Sequence, residues 1–231
     1  SVIARDDLDI LVDLQTHTLG AKVEILAYKP ARVQITHIAS CGAVGLSTID
    51  YKLTDAYSDT PDNQDYLIEK LLPVEGCVYP FHRLTEPVEN IFRREALGID
   101  ENDVLIGAFV SIGKLSPRCM ALWQRVLEAI PMAKLAFSPF SEADRAHYHN
   151  VASAAGIARE RYVFVPQGGG ESENLARYAM VDFVLDTMPY GSVNGAFEPL
   201  SMGVPIVTLL GKRHGERTVY SILANLGVTD T

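Results

Sequence analysis

Residues 186–198 read Asp-Thr-Met-Pro-Tyr-Gly-Ser-Val-Asn-Gly-Ala-Phe-Glu, with apolar Phe183 to Leu185 before them and Gly203-Val204-Pro205-Ile206-Val207-Thr208 soon after. A strand, a glycine-rich loop, a helix start and a second strand in that order would turn backbone N–H groups and a helix N-terminus toward phosphate. Ser192, Asn194 and Gly195 add a hydroxyl, an amide and an unobstructed backbone. Glu198 lies four residues after Asn194, so both project to one side of the helix start, where a carboxylate can hold two vicinal ribose hydroxyls. The chemistry that fits is nucleotide binding. A plain turn followed by a solvent-facing glutamate uses the same letters.

A second group stands earlier, in Phe109-Val110-Ser111-Ile112-Gly113-Lys114-Leu115-Ser116-Pro117. Ser116 suits a helix N-cap and Pro117 the first helical position, which puts Lys114 beside a positive helix end. An ammonium there neutralises a diphosphate and stabilises the charge that develops on a leaving group. A solvated loop lysine is the plainer alternative. Arg217 is placed to reach phosphate from the last helix, or to pair with Glu216 on the surface. His17, in the loop after the first strand, suits acceptor contact or a proton shuttle as well as an ordinary loop hydrogen bond. His37 reads as a buried histidine within a strand, and His147 and His149 as solvated. No His, Cys, Asp or Glu spacing makes a metal site, and no G-x-S-x-G nucleophile turn occurs.

The elements that must position these groups alternate. In the first region Leu8 to Leu14 reads as a strand, about Gly20 to Tyr28 as a helix stopped by Pro30, and Arg32 to Ile38 as a strand. Ser40 to Gly45 reads as a small-residue loop and Asp59 to Asp65 as a polar surface loop. A charged connector between Pro80 and Asp103, with Arg83, Glu86, Glu89, Arg93, Arg94 and Glu95, separates two apolar regions. The expected division is residues 1–85, a connector 86–102, and a second domain 103–231. In that domain strands 104–109, 133–137, 162–165, 183–186 and 206–210 alternate with helices 117–130, 142–155, 172–178, 195–202 and 216–226. Such alternation predicts a parallel sheet with helices on both faces and ligands at the carboxyl ends of its strands.

Composition narrows the class. The chain has 231 residues, 48% of them hydrophobic, which is ample for a core. Lys and Arg total 20 against 29 Asp and Glu, and the net charge of −9 argues against a general nucleic-acid or membrane-surface binder. Cys41, Cys77 and Cys119 are unpaired in pattern, which fits a reducing cytoplasm. No apolar run is long enough to cross a bilayer. The chain opens at Ser1, close to a strand, and reads as a fragment.

These residues carry a resemblance. The order of Asp9-Ile10-Leu11-Val12-Asp13-Leu14 with Thr18 to Lys22, Tyr28 to Gln34, Gly42 to Gly45 leading to Ile49-Asp50-Tyr51, Glu69-Lys70-Leu71, Gly113 to Pro117, Leu185-Asp186-Thr187 and Gly203 to Thr208 resembles the O-linked N-acetylglucosamine transferase family. Its bacterial relatives that glucosylate asparagine of adhesins share the pattern. The resemblance covers nearly the whole chain. It implies an α/β fold of the GT-B type, with a Rossmann-like, parallel-sheet C-terminal lobe that binds a UDP-sugar and the tail of a truncated N-terminal, acceptor-side lobe. Helical tetratricopeptide repeats are expected upstream.

Carried onto this sequence, the resemblance implies that Lys114 contacts the donor diphosphate and that Ser111 lies in the same loop. Asn194 and Glu198 match the Asn and acid of the N-glucosyltransferase loop, where the acid is Asp, whereas the O-GlcNAc enzymes have His-Thr-Thr where this chain has Val193-Asn194-Gly195. Near the uracil, where the family usually brings a histidine, the chain offers Asn174 and Arg177. The implied reaction is inverting transfer of a hexose or N-acetylhexosamine from a UDP-sugar to Ser, Thr or Asn of a protein or peptide, with no metal and no cofactor. A non-catalytic binding module and a UDP-N-acetylglucosamine epimerase of the same architecture are the competing readings.

Overall fold

The computed structural model describes residues 2–37, 42–82, 88–139 and 141–229. Expectations that involve Ile38, Ser40, Cys41, Arg83 and Glu86 lie outside the described residues. The chain divides into two compact units, one of residues 1–80 with 210–231, the other of residues 81–209.

The first unit opens with a short helix α1 (Val2–Arg5) and carries a parallel four-stranded sheet in sequential order. Its strands are β1 (Ile10–Asp13), β2 (Val33–Thr36), β3 (Tyr51–Thr54) and β4 (Lys70–Pro73). β1 is an edge strand, with Ile10 and Val12 exposed. The expected helix over 20–28 is a 3-10 helix, Val23–Tyr28, ended by Lys29 in the left-handed region at φ 44°. Strands β3 and β4 are absent from the sequence reading because Lys52 and Thr54 in β3, and Lys70 and Pro73 in β4, break up the apolar run.

The supposed surface loop at 59–65 requires correction. It forms a 3-10 helix, Pro61–Tyr66, and Asp59 and Asn63 are buried. The cause lies in the last helix of the chain, α6 (His214–Asn225), which belongs to this unit. His214, Thr218 and Ser221 recur at helical spacing and are all buried, so α6 presents a polar stripe to the interior. Asp59 Oδ2 lies 2.6 Å from His214 Nδ1 and accepts from Lys52 Nζ at 3.3 Å and from Thr54 Oγ1 at 2.7 Å. The Tyr79 hydroxyl lies 2.9 Å from His214 Nε2. Asp55 accepts from Ser221 Oγ at 2.7 Å and from the N–H groups of Tyr57, Ser58 and Val78. Burial by itself would raise the Asp59 carboxyl, but the hydrogen bond and charge of His214, aided by Lys52 and Thr54, hold it far below the usual carboxylate range.

The second unit is built on apolar packing. Its five parallel strands are β5 (Val104–Gly107), β6 (Ala133–Phe137), β7 (Tyr162–Phe164), β8 (Phe183–Leu185) and β9 (Ile206–Val207), in the order β7-β6-β5-β8-β9. Between them run α2 (Pro117–Ala129), α3 (Glu142–Ala154), α4 (Glu171–Ala176) and α5 (Asn194–Ser201). In α2, Cys119, Met120, Trp123 and Leu127 form the buried face against Ile106, Leu135 and Phe137 of the central strands. Each large side chain so buried stabilises by about 1.5–3 kcal/mol. Ser116 caps α2, accepting from Cys119 N at 3.1 Å, with Pro117 at the first helical position. His149 departs from expectation: it is half-buried, its Nδ1 2.6 Å from the Tyr162 hydroxyl. His37 is likewise half-buried just past β2, and burial lowers its pKa.

The ionic cluster of the first unit has a measurable consequence. Asp59→Ala leaves the buried Lys52 ammonium without its carboxylate partner and should cost about 3–5 kcal/mol of stability by chemical denaturation at neutral pH. Because the folded Asp59 carboxyl is depressed, its contribution is full above the ordinary carboxylate range and fades as acid titrates it. A loss below about 1 kcal/mol, the range of an exposed pair, contradicts this role.

Candidate functional site

Strands β5 and β8 are parallel neighbours, yet the chain leaves β5 toward β6 and leaves β8 toward β9, on the opposite side. The loops at their carboxyl ends therefore part, and the crevice between them is where an open α/β sheet receives a ligand. Lys114 stands after β5 and residues 186–193 after β8.

Side chains knit the two loops together. Ser116 Oγ, besides capping α2, donates to the carbonyl of Met188 at 3.0 Å. Lys114 ends a 3-10 turn, Ile112–Lys114, and its Nζ donates to the carbonyl of Gly191 at 3.0 Å and to Ser192 Oγ at 2.8 Å. The same ammonium lies 4.8 Å from the centre of the Tyr190 ring. Asp186, at the end of β8, accepts from Ser192 N at 3.2 Å and from Thr208 Oγ1 at 2.8 Å, which ties the loop to the strand after α5. Thr187 Oγ1 closes the turn on the Tyr190 carbonyl at 2.6 Å.

α5 starts at Asn194, and Val193 before it provides no side-chain cap. Uncapped N–H groups at a helix start suit an anion. Gly195 is required by close approach, since a Cβ there would come 2.8 Å from Ser192 Cβ. Asn194 is exposed and Glu198 half-buried, one turn on. The Glu198 carboxylate is already engaged, accepting from the buried Tyr178 hydroxyl at 2.8 Å.

The other expected residues fall in two places. Ser111 is exposed and extended just before the Lys114 turn. Asn174 Oδ1 accepts from Gly168 N at 3.0 Å and so orders the glycine loop after β7. Arg177 is buried, donating to Ser138 Oγ at 2.8 Å and to the Asn174 carbonyl at 2.9 Å, with its guanidinium 4.8 Å from the Phe109 ring centre. His17 and Arg217 belong to the first unit. His17 is exposed in the loop after β1, and Arg217 donates to the carbonyls of Tyr57 at 2.8 Å and Gly211 at 3.1 Å. Lys114, Ser192, Gly195 and Glu198 are thus drawn to one strand-end region of the second unit, whereas Arg177 is buried and engaged with Ser138, Asn174 and Phe109. Among the described residues, no group of three or more His, Cys, Asp or Glu side chains is suited to a metal ion.

The sequence reading quoted Asp186 in the loop without giving it a role, and passed over Tyr178. Asp186 was visible as an acid ending an apolar strand; Tyr178 as a hydroxyl inside Leu175-Ala176-Arg177-Tyr178-Ala179-Met180, where a buried phenol needs a partner.

Burial pushes the Asp186 carboxyl up to about 6, against the hydrogen bonds from Thr208, Thr187 and Ser192 and the charge of Lys114. With the folded value raised, the folded state holds the proton more tightly than the unfolded chain, so Asp186 costs stability as pH climbs from about 4 to about 6. Asp186→Asn should remove that slope while keeping an acceptor for Ser192 N. Melting temperatures of both proteins across this window would check it: their difference should move in favour of the variant with rising pH, and a constant difference contradicts the shift.

A family model described as Glycosyl transferase family 41 matches residues 1–78 and 86–231. The chain is 30% identical over 233 residues to the probable UDP-N-acetylglucosamine–peptide N-acetylglucosaminyltransferase SPINDLY of Arabidopsis thaliana, covering 99% of this chain and 25% of that protein. To the SPINDLY protein of Petunia hybrida it is 31% identical, over 99% of this chain and 24% of that one. The chain therefore spans about a quarter of the length of these curated relatives. Among solved structures, a mutant of the O-GlcNAc transferase of Thermobaculum terrenum matches with a TM-score of 0.88 and 27% identity, over 99% of this chain and 43% of that one. Two parallel-sheet α/β units agree with that GT-B structure. On the extent of the family match, the chain belongs to glycosyl transferase family 41.

Proposed function

We propose that the second unit is the donor lobe of an inverting glycosyltransferase that moves a sugar from UDP to a protein or peptide side chain, Ser, Thr or Asn. The observation that carries the proposal is the placement of Lys114 Nζ on the carbonyl of Gly191 and the hydroxyl of Ser192, beside the uncapped start of α5. Those oxygens are neutral, and phosphate oxygens would replace them with stronger bonds in which donor and acceptor are oppositely charged. The names of the relatives supply the chemistry, UDP-N-acetylglucosamine as donor and peptide as acceptor.

In this reading the acceptor oxygen or nitrogen attacks the anomeric carbon while the bond from that carbon to the diphosphate oxygen breaks. UDP departs with the electron pair, and the acceptor loses its proton. Lys114 and the N–H groups of α5 meet the negative charge that grows on the β-phosphate, in positions set before the reaction begins. Glu198 takes the ribose hydroxyls, with Asn194 and Ser111 at the rim. In the first unit His17, exposed after β1, is the residue we propose for acceptor contact or proton shuttling. N-acetylglucosamine is the first donor sugar to assay. A reducing, cytoplasmic setting suits the free thiols Cys77 and Cys119.

Lys114→Ala in the intact protein should lower transfer by about 10²–10³-fold while the protein stays folded, its melting temperature in the absence of ligand lowered only by the loss of the two loop hydrogen bonds. Near-normal turnover contradicts the assignment. Saturating UDP should raise the melting temperature of the wild type, and less so that of the variant. No shift in the wild type removes the donor site itself.

A further inference from the structure

Resting on the donor-lobe reading, we infer that Tyr178 is a positioning residue for nucleotide binding: its buried hydroxyl fixes the Glu198 carboxylate in the orientation that receives the ribose. Tyr178 lies in the 3-10 turn Arg177–Met180 that follows α4 and is 1% exposed. Its hydroxyl donates to Glu198 Oε2 at 2.8 Å. Burial, together with the charge of Glu198 and the hydrogen bond to it, raises the Tyr178 pKa well above the phenol range, so the group is a permanent donor.

Packed neighbours support Tyr178. Phe109, two residues past β5, meets the Tyr178 ring edge-on at 5.2 Å, and the Arg177 guanidinium lies 4.8 Å from the Phe109 ring centre. Arg177 is in turn held by Ser138, which donates to the carbonyl of Val165 at 2.9 Å. The chain of contacts runs across the strand ends of the sheet to the helix that carries Glu198. Glu198 has a flexible stem, and in water its carboxylate would sample several rotamers. A swing away from Tyr178 would leave a buried hydroxyl without its partner, which is unfavourable. One donor occupies one of about four lone-pair sites of the carboxylate. Among the described residues the Tyr178 hydroxyl is the side-chain donor to this carboxylate, which leaves Oε1 and the remaining site on Oε2 as acceptors for two vicinal hydroxyls.

The test compares UDP with 2′,3′-dideoxyuridine 5′-diphosphate, which lacks those hydroxyls, by calorimetric titration of the intact protein. Tyr178→Phe keeps the ring and removes the donor. It should weaken UDP about tenfold and leave the dideoxy compound unchanged. The ratio of the two affinities is insensitive to any loss of folded protein. In a Glu198→Ala background, Tyr178→Phe should have no further effect on UDP, because the residue acts only through that carboxylate. Equal weakening of both ligands, an unchanged UDP affinity, or the same loss in the Glu198→Ala background overturns the inference. If Glu198→Ala alone leaves UDP binding intact, the ribose assignment of the donor site fails, a separate outcome from failure of Tyr178.

Discussion

Everything at the candidate site depends on the way β5 and β8 lie side by side while the chain departs from them in opposite directions. Parallel pairing sends both carboxyl ends to one edge of the sheet, and the reversal of order keeps any helix from covering the gap between them. Lys114 enters from one loop and Ser192 from the other. Their hydrogen bond is a bond across the switch point. Ser116 makes a second bridge to Met188, so the loops are held in register before any ligand arrives. Preorganisation of this kind is what electrostatic catalysis requires, since donors that must first be ordered spend that free energy at the moment of reaction.

The two units use different physics to reach stable α/β structures. The second buries aromatic and aliphatic side chains on both faces of its sheet, with Trp123, Phe137, Leu105 and Ile106 almost fully enclosed. The first, beside apolar groups such as Leu26, Ile49, Val219, Ile222 and Leu223, also encloses Lys52, Asp55, Asp59, Gln34, Glu69 and His214. Gln34 donates to the carbonyls of Leu26 and Thr48, and Glu69 accepts from the N–H groups of Val44 and Gly45. Polar interiors specify geometry through directional bonds, and they are costly where any member goes unpaired.

That contrast explains how much could be read from the letters alone. In the second unit, periodicity located α2 and β6 closely, because Met120, Trp123 and Leu127 repeat at helical spacing and residues 133–137 form an apolar run between turn residues. Ser116 and Pro117 were recognisable as a helix start for a local reason, one hydroxyl and one ring with fixed φ. In the first unit the same approach mistook Asp59 for a surface residue. Its partners Lys52 and His214 are respectively 7 and 155 residues away, and only the fold brings the three together. The candidate site shows a similar limit. Glycines, Lys114 and Glu198 stand out as residue types, whereas the roles of Asp186 and Tyr178 arise from burial and from partners on other elements.

The central claim is that a nucleoside diphosphate seats between the loops after β5 and β8. Amide hydrogen exchange of the intact protein, followed by mass spectrometry with and without saturating UDP, addresses it directly. Slowed exchange concentrated in residues 111–116 and 190–198 is expected, with the sheet itself little changed. Unaltered exchange in both segments, or protection confined to other parts of the chain, would contradict it.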